Sequence, residues 1–273
     1  MDLISKYGIN IEHNAVQSAK GSVCMHEHNV YELYYLVSGK RRYLMQHTVF
    51  DVEPGNMILI PPGQLHRVTS ATNTGYHRYA LYFTQQHATL AAELFGGSFF
   101  SDLILRGCIQ LPVQICRQIE SSMEEISRQL QSPSRETKAV ITHLLHGILL
   151  CALRYGQEKK HLDGESADKV QMIAKYISDN YSADINLTTA SEMANMERTY
   201  FCKRFKAVTG VGFQDYLLQI RLNAAKQLLL DSPCTVSQIA EKCGFTTSNY
   251  FGDVFRRYHG ISPTEYRFRN VKE

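Results

Sequence analysis

Three histidines and a glutamate in the N-terminal half carry the side chains best suited to hold a metal ion. His26, His28 and Glu32 follow the spacing H-x-H-x3-E, and His66 ends a later P-x-G-x2-H segment. Imidazole nitrogens and a carboxylate together suit a transition metal. Residues 26, 28 and 32 share parity, so an extended strand would direct all of them to one face. The pattern therefore indicates either a metal site or a polar pocket for an organic ligand.

A second set near the C-terminus consists of basic, hydroxyl and amide side chains on a repeated segment. The sequence T-Y-F-C-K-R-F-K at 199–206 returns as N-Y-F-G-D-V-F-R at 249–256, an offset of 50 residues. In each copy two phenylalanines at i and i+4 predict a buried helix face, so the positions between them point outward. Such outward side chains can contact phosphates or base edges. The predicted DNA contacts are Arg198, Thr199, Cys202, Lys203 and Lys206 in the first copy and Ser248, Asn249, Asp253 and Arg256 in the second.

Each copy follows a short helical segment and a tight turn. These segments lie at 189–195 and 237–244, and Gly244 can adopt the left-handed conformation that such a turn uses. A short helix, a turn and a second helix form the helix-turn-helix motif, whose second helix enters the major groove of DNA. The sequence therefore predicts two such motifs. A long helix at 214–230 would separate them rigidly by about one DNA turn, roughly 34 Å.

The N-terminal half is predicted to be all-β. Short runs of β-branched and aromatic residues, separated by Gly, Pro and Asn, are typical of an antiparallel barrel or sandwich. These runs lie at 30–37, 42–49, 57–60 and 77–83.

A hairpin argument extends the polar set to further residues. If Gly39-Lys40 form a two-residue turn, Glu32 faces His47 across the two strands. This register predicts that Tyr34, Tyr43 and His47 line the same cavity as the histidines and the glutamate.

Helical periodicity replaces the β pattern from residue 113 onward. Apolar residues recur at helical spacing through 115–130 and 140–149, which predicts two antiparallel helices. A polar stretch with two glycines follows and indicates an interdomain linker. The predicted organisation is a β domain at 1–108, a helical segment at 109–157, a linker at 158–167 and a helical domain at 168–273.

Composition fits an ordinary globular chain with a weakly basic C-terminal half. The net charge is +3, and the segment 168–273 holds 14 Lys/Arg against 11 Asp/Glu, so the excess lies there. No N-terminal apolar stretch resembles a signal peptide, which leads us to expect a cytoplasmic protein. Seven cysteines without a Cys-x-x-Cys pair predict neither a disulfide framework nor a zinc knuckle.

The C-terminal hundred residues resemble the DNA-binding domain of the AraC/XylS family. The motifs that carry the resemblance are Y-I-S-D-N-Y at 176–181, F-K-A-V-T-G at 205–210, I-A-E-K-C-G-F at 239–245 and G-I-S-P-T-E-Y-R at 260–267. The resemblance implies a sequence-specific transcriptional regulator, expected to be an activator that contacts RNA polymerase and dimerises through the helices at 109–157. Three departures are Glu197, a poorer helix cap than the usual serine, Ala190-Ser191 in place of the usual Leu-Ala pair, and Asp253, an acidic residue on the outward face.

The N-terminal histidines and glutamate also resemble the two cupin motifs. The match begins at Gly21, and in cupin metalloproteins such residues bind Fe, Mn, Ni or Zn. The resemblance therefore implies a cupin-like β-barrel, so the fold class is α+β, a cupin-like barrel with a helical dimerisation segment followed by an all-α domain with two helix-turn-helix motifs. The same histidines and glutamate leave a cupin metalloenzyme, such as an isomerase or dioxygenase, and a metal-sensing regulator open as alternatives. Apart from this set, the sequence offers no nucleophile with its base and no phosphate loop, so we expect no enzyme.

An organic effector is the favoured ligand of the barrel. The chain has no Trp, so a sugar ring would stack on tyrosine, with charged side chains bonding its hydroxyls. The predicted effector-binding residues are His26, His28, Glu32, Tyr34, Tyr43, His47 and His66, and the predicted metal ligands are His26, His28, Glu32 and His66.

Overall fold

The structure is a computed structural model that describes residues 3–17, 25–45, 47–70, 75–159 and 164–270. The chain divides into two compact units, the first spanning residues 1–162 apart from 46–48 and the second beginning at residue 163. This boundary falls inside the predicted linker. Gly21 and part of that linker lie outside the described residues.

The first unit is built on two antiparallel sheets. A six-stranded sheet has the order β1-β7-β2-β5-β8-β9 and a three-stranded sheet the order β4-β3-β6. The strands are β1 Ile9–Val16, β2 Tyr31–Ser38, β3 Arg41–Met45, β4 Thr48–Val52, β5 Asn56–Ile60, β6 His66–Ser70, β7 Tyr76–Phe83, β8 Cys108–Gln110 and β9 Gln157–Glu158.

Helices cover one face of the larger sheet. Leu33 and Tyr35 of β2 point to this face and join a core with Ile119, Met123 and Leu145 from the helices. Alternation along an extended strand separates these residues from their neighbours, which point to the other sheet. The helices of this unit are α1 Leu3–Tyr7, α2 Gln85–Phe95, α3 Phe99–Leu105, α4 Val113–Gln131 and α5 Thr137–Tyr155.

The two sheets face each other over a second core. Tyr34 of β2 packs with Tyr43 of β3, their ring centroids 4.7 Å apart, and Ile58 and Val68 belong to the same cluster. The predicted α+β fold is therefore confirmed in its two halves. In the described residues the strands form two facing sheets and not a closed barrel.

The predicted hairpin between the second and third strands is wrong. β2 pairs with β5 and β7, while β3 pairs with β6 in the other sheet. Gly39 at the corner has a φ of +90°, and a Cβ there would lie 2.5 Å from the carbonyl oxygen of Gly75. The chain crosses between sheets at this glycine, so Glu32 does not face His47, which lies in the turn between β3 and β4.

One helix of the first unit is long and apolar enough to cross a membrane, judged by length and composition. This helix is α5, and Ile141, Leu145 and Leu149 on its inner face lie in the core beneath the sheet. Such burial is what the core helix of an α/β domain shows.

The second unit is helical throughout its described residues. α9 occupies its centre and packs against α6, α8, α10 and α12. The helices are α6 Glu165–Asn180, α7 Leu187–Met193, α8 Arg198–Thr209, α9 Phe213–Asp231, α10 Val236–Lys242, α11 Ser248–His259 and α12 Pro263–Asn270.

Candidate DNA interface and inter-sheet pocket

The first helix-turn-helix comprises α7 and α8. Asn186 caps α7 by accepting hydrogen bonds from the backbone N–H groups of Thr188 and Thr189, and the Thr189 hydroxyl completes a capping box. The turn then passes through Asn195 at a φ of +50°, a conformation that asparagine tolerates better than most residues. The chain is thereby turned so that α8 can pack across α7.

Two phenylalanines fix the inner face of α8. Phe201 and Phe205 are fully buried, and Phe205 contacts Phe213 and Tyr216 of α9 at ring-centroid distances of 5.7 and 5.5 Å. The predicted i, i+4 stripe is therefore present, and the opposite face of the helix is left open.

The open face of α8 is strongly basic. Arg198, Thr199, Lys203 and Lys206 are exposed and Cys202 is half-buried, as the sequence predicted. The helix carries four basic residues and no acidic one. Such a surface attracts phosphate and offers side chains long enough to reach base edges.

Glu197 is a better cap than the sequence predicted. Its carboxylate accepts a hydrogen bond of 2.9 Å from the backbone N–H of Tyr200, and bonds from the backbone at the start of α8 lower its pKa. The carboxylate therefore sits where the positive end of the helix dipole favours an anion.

The second helix-turn-helix, α10 and α11, repeats this arrangement with different turn chemistry. Gly244 adopts the predicted left-handed conformation with a φ of +77°. A Cβ there would lie 2.8 Å from the carbonyl oxygen of Ser182, so only glycine fits. Phe251 and Phe255 are fully buried, in the positions of Phe201 and Phe205.

The open face of α11 differs in charge from that of α8. Asn249, Asp253 and Arg256 are exposed, and Ser248 is half-buried. Arg257 is also exposed, and the repeat did not select it because it lies one residue past the aligned segment 249–256. Asp253 partly cancels the two arginines, so α11 attracts phosphate less than α8 does.

Two exposed tyrosines, which the repeat did not mark as candidate contacts, also lie on these helices. Tyr200 and Tyr250 occupy equivalent positions in the first turns of α8 and α11 and are 52% and 50% exposed. The sequence identified them only as repeat markers. Half-exposed tyrosines at these sites can contact a sugar-phosphate backbone through their hydroxyls.

Two arginines tie the helix-turn-helix units to the central helix. Arg221 of α9 donates hydrogen bonds of 2.8 Å to the carbonyl oxygens of Tyr181 and Ala183. Arg267 of α12 donates to the carbonyl oxygens of Leu229 and Cys234 at 3.0 and 2.6 Å. These bonds attach the middle of α9 to the segment after α6 and the C-terminal end of α9 to α12.

The N-terminal polar residues meet in the space between the two sheets. Glu32 of β2 lies on the same face as Tyr34, and its carboxylate is 2.9 Å from His28 Nε2 and 3.5 Å from His66 Nε2. Ring contacts place Tyr43 and His26 beside His66, at 6.3 and 4.3 Å between centroids. The structure thus brings together six of the seven predicted effector-binding residues, with His47 in the turn after β3.

The histidine tautomers suit metal ligation. His28 Nδ1 donates to the carbonyl oxygen of Val30 at 2.7 Å, and His66 Nδ1 donates to that of Gln64 at 2.9 Å. Both Nε2 atoms are therefore directed at Glu32, and among the described residues His28, Glu32 and His66 offer ligand atoms within 4.8 Å of one another. His26, the fourth predicted ligand, is outside this set. The three residues fit a transition metal.

Without a metal, Glu32 and His28 form a buried ion pair. Burial alone would raise the pKa of Glu32, but hydrogen bonds and charge from His28 and His66 outweigh it and lower the pKa to about 2. Burial opposes protonation of His28, yet its bond to Glu32 prevails and raises its pKa.

Glu32→Gln is expected to lower the free energy of unfolding of the metal-free protein by about 3 kcal/mol at pH 6. The carboxylate contributes fully above its ordinary pKa of 4.5, and the contribution is lost as pH falls toward 2. The His28 contribution is present below pH 6.5 and is lost as pH rises through its raised pKa. Urea unfolding in EDTA measures the difference, which should shrink at pH 3. Equal stability of the two proteins at pH 6 would contradict the ion pair.

Two family models match the chain. The AraC-like ligand binding domain matches residues 16–145 and the helix-turn-helix domain matches residues 190–269. The first covers β2 to β8 with α2 to α4 and part of α5, and the second runs from within α7 into α12.

Named relatives are transcriptional regulators. The HTH-type transcriptional regulator YisR of Bacillus subtilis is 25% identical over 88% of this chain and 86% of its own length. The HTH-type transcriptional activator RhaS of Escherichia coli is 30% identical over 57% of this chain, and the match spans 54% of RhaS, about half its length. Among solved structures, the C-terminal domain of the response regulator yesN of Fusobacterium nucleatum is 37% identical over 37% of this chain and 98% of that one, with a TM-score of 0.36.

Proposed function

Because this chain belongs to the AraC family of DNA-binding transcriptional regulators, we propose that it controls transcription in response to a small molecule bound between its two sheets. The observation that carries the proposal is the repeated recognition helix. α8 and α11 bury equivalent phenylalanines and leave equivalent faces open. α8 packs against α9, and the buried face of α11 shares a core cluster with α9. Two such helices on one spacer fit two successive stretches of major groove.

The proposed DNA contacts are the outward residues of these helices. Arg198, Thr199, Cys202, Lys203 and Lys206 of α8 would bind one stretch of groove, and Ser248, Asn249, Asp253 and Arg256 of α11 the next. α8 is proposed to carry most of the sequence reading, because its three outward basic residues favour close approach to DNA and Asp253 opposes it on α11. Asp253 can instead accept a hydrogen bond from a cytosine amino group.

A gel-shift scan tests DNA recognition directly. The purified protein is incubated with the upstream regions of its own genome in about 150 mM salt, where non-specific binding is weak. At least one region should bind about a thousandfold more tightly than random DNA. Equal binding of every fragment would overturn the proposal.

The proposed effector is a sugar-like molecule in the inter-sheet pocket. Tyr34 and Tyr43 supply ring faces, and Glu32, His28 and His66 supply hydrogen-bonding groups beside them. Stacking on tyrosine with a few fixed polar groups is how proteins bind polar rings. The regulator is further proposed to be a cytoplasmic protein that contacts RNA polymerase. Its proposed role as an activator follows the printed name of the RhaS relatives. Neither matched family description names an enzyme, and no catalysis is proposed.

Dimerisation is proposed to use the groove between α4 and α5. A cavity of about 110 Å³ is lined there by Ser122, His143, Leu144 and Cys151, next to the exposed Gly147. Apolar and small residues at a helix pair suit close packing against a second copy.

Gly147→Arg is expected to convert a dimer into a monomer. A Cβ at Gly147 meets nothing within 4 Å, so the substitution leaves the protomer intact and raises helix propensity by about 1 kcal/mol. Light scattering after gel filtration measures the mass, with Ser121→Arg on the exposed side of α4 as the control. A dimeric Gly147→Arg would remove the groove from the interface.

Metal sensing is the second candidate function, favoured by the convergence of His28, Glu32 and His66. Those residues would coordinate a bound transition metal, which would supply a positive charge. Elemental analysis measures the metal content of the purified protein and of His28→Ala. Metal sensing would be favoured over an organic effector if the protein holds stoichiometric metal, if that metal changes DNA affinity and if His28→Ala loses it.

A further inference from the structure

The polar side chains between the two sheets differ in charge from one end of that space to the other. Glu32, Tyr34 and Leu36 follow one another on the inner face of β2, and β7 pairs Tyr82, Ala80 and Arg78 with them in turn. The histidine–glutamate group therefore occupies one end and Arg78 the other. Tyr34 lies between the two ends.

A second guanidinium joins Arg78 at that end. Arg41 of β3 is only 4% exposed and stacks on Tyr76 of β7, with its guanidinium carbon 4.1 Å from the ring centroid. Residues 41 and 43 share parity, so Arg41 faces the same space as Tyr43. The guanidinium of Arg78 lies 5.8 Å from the centre of the Tyr34 ring. Two cations thus flank Tyr34 from opposite sheets.

The hydroxyl of Tyr34 is a buried polar group that makes no hydrogen bond within the described residues. Tyr34 is fully buried, and its oxygen has no hydrogen-bond partner in the part of the chain that the structure describes. Burial raises the pKa of this phenol and the charges of Arg41 and Arg78 oppose that rise, which places both guanidinium groups within electrostatic reach of it. Burying a hydroxyl without a hydrogen-bond partner is costly. The Tyr34 hydroxyl therefore points to a ligand that accepts its hydrogen bond.

Among the residues that the structure describes, few negative charges lie near this end. Arg78 binds Glu12 at 3.1 Å, but Glu12 is 46% exposed and lies at the rim. The buried carboxylate of the pocket, Glu32, is bound to His28 at the other end. A ligand anion would therefore be attracted to the arginine end, where burial strengthens the interaction.

We propose that the effector is a polyhydroxylated carboxylic acid, of the hexuronate type, whose carboxylate binds between Arg41 and Arg78 and accepts a hydrogen bond from Tyr34. Its hydroxyls then lie toward Glu32 and the histidines. This assignment rests on the proposed function, because it names the ligand class of the same sensory pocket. A neutral sugar carries no charge to interact with the two guanidinium groups, so we expect it to bind more weakly than the acid.

Matched pairs of sugars test the class. Thermal unfolding and calorimetric titration of the full chain compare D-glucuronate with D-glucose and D-galacturonate with D-galactose. At least one acid should raise the melting temperature and bind more than about tenfold tighter than its neutral partner. A neutral sugar that binds as tightly as its acid, or the absence of any binding by both acids, would overturn the inference.

Tyr34→Phe provides the sharpest variant. Loss of one hydrogen bond to a charged group should weaken acid binding about tenfold or more, while the melting temperature of the ligand-free protein stays the same or rises because an unpartnered hydroxyl is removed. Tyr35→Phe is the control on the opposite face of β2, where the hydroxyl donates to Glu120 at 2.7 Å. It should lower the melting temperature and leave acid binding unchanged. A Tyr34→Phe protein that is destabilised and binds the acid normally would assign the hydroxyl a structural role.

DNA binding is measured on the same preparations so that two failures can be told apart. Specific DNA binding without acid binding overturns only the ligand class. Absence of specific DNA binding overturns the proposed function itself.

Discussion

Replacing Arg198 and Lys203 together by alanine is expected to weaken binding to a selected DNA site by about a hundredfold or more. Both side chains are exposed on α8, five residues apart, and neither contributes to the buried aromatic core. A good base contact is worth about 1–3 kcal/mol, so two together account for a loss of this size. Fluorescence anisotropy on the site found by the gel-shift scan measures it.

The equivalent double variant on α11 is the control. Asn249→Ala with Arg256→Ala is expected to cost less than the α8 pair, and Arg256→Ala alone should reduce the salt slope by about one if it binds phosphate. Asp253→Ala should increase affinity for random DNA, because a carboxylate facing phosphate is removed. A larger loss from the α11 pair than from the α8 pair would contradict the proposed inequality of the two helices.

Phe205→Ala is expected to lower the free energy of unfolding of the C-terminal unit by about 3–5 kcal/mol. The ring is fully buried and contacts Phe201, Phe213 and Tyr216, so its loss leaves a cavity where α8 meets α9. Because α8 is held in place by this contact, specific DNA binding should fall as well.

Urea unfolding followed by circular dichroism at the helical band measures the change. Tyr200→Ala on the exposed side of the same helix is the control and should cost less than about 1 kcal/mol. Equal costs at the two positions would mean that α8 is not held by its aromatic face.

The C-terminal half could be predicted almost completely because its signals are local and repeated. Phenylalanines four residues apart, a glycine that alone fits a left-handed turn and a copy 50 residues away all specify the same motif. The cap at Glu197 was judged from the residue type alone. Its carboxylate reaches the Tyr200 N–H all the same, which depends on a side-chain rotamer that sequence does not reveal.

The N-terminal half was predicted less well because its contacts are between strands distant in sequence. The run at 42–49 is two strands, β3 and β4, with a turn at its centre. α2 and α3 were not predicted at all. β1 was also missed, since its polar residues and exposed edge hide the alternation of Ile9 and Ile11.

The residues of the candidate effector site were predicted from two arguments, of which one was wrong. Parity along β2 correctly placed Glu32 and Tyr34 on one face, and Tyr43 does meet Tyr34. The hairpin that was meant to bring them together does not exist, because Gly39 sends β3 into the other sheet. Arg41 and Arg78 were overlooked, since nothing in their spacing relates residues on opposite sheets.

A base-by-base mismatch scan of the selected DNA site tests the central claim most directly. Two helices held on one spacer predict two clusters of sensitive positions, centred about 10 base pairs apart, with mismatches in one cluster costing about 1–3 kcal/mol each. Arg198→Ala should erase sensitivity in the stronger cluster only. A single cluster, or affinities indifferent to sequence, would contradict the account.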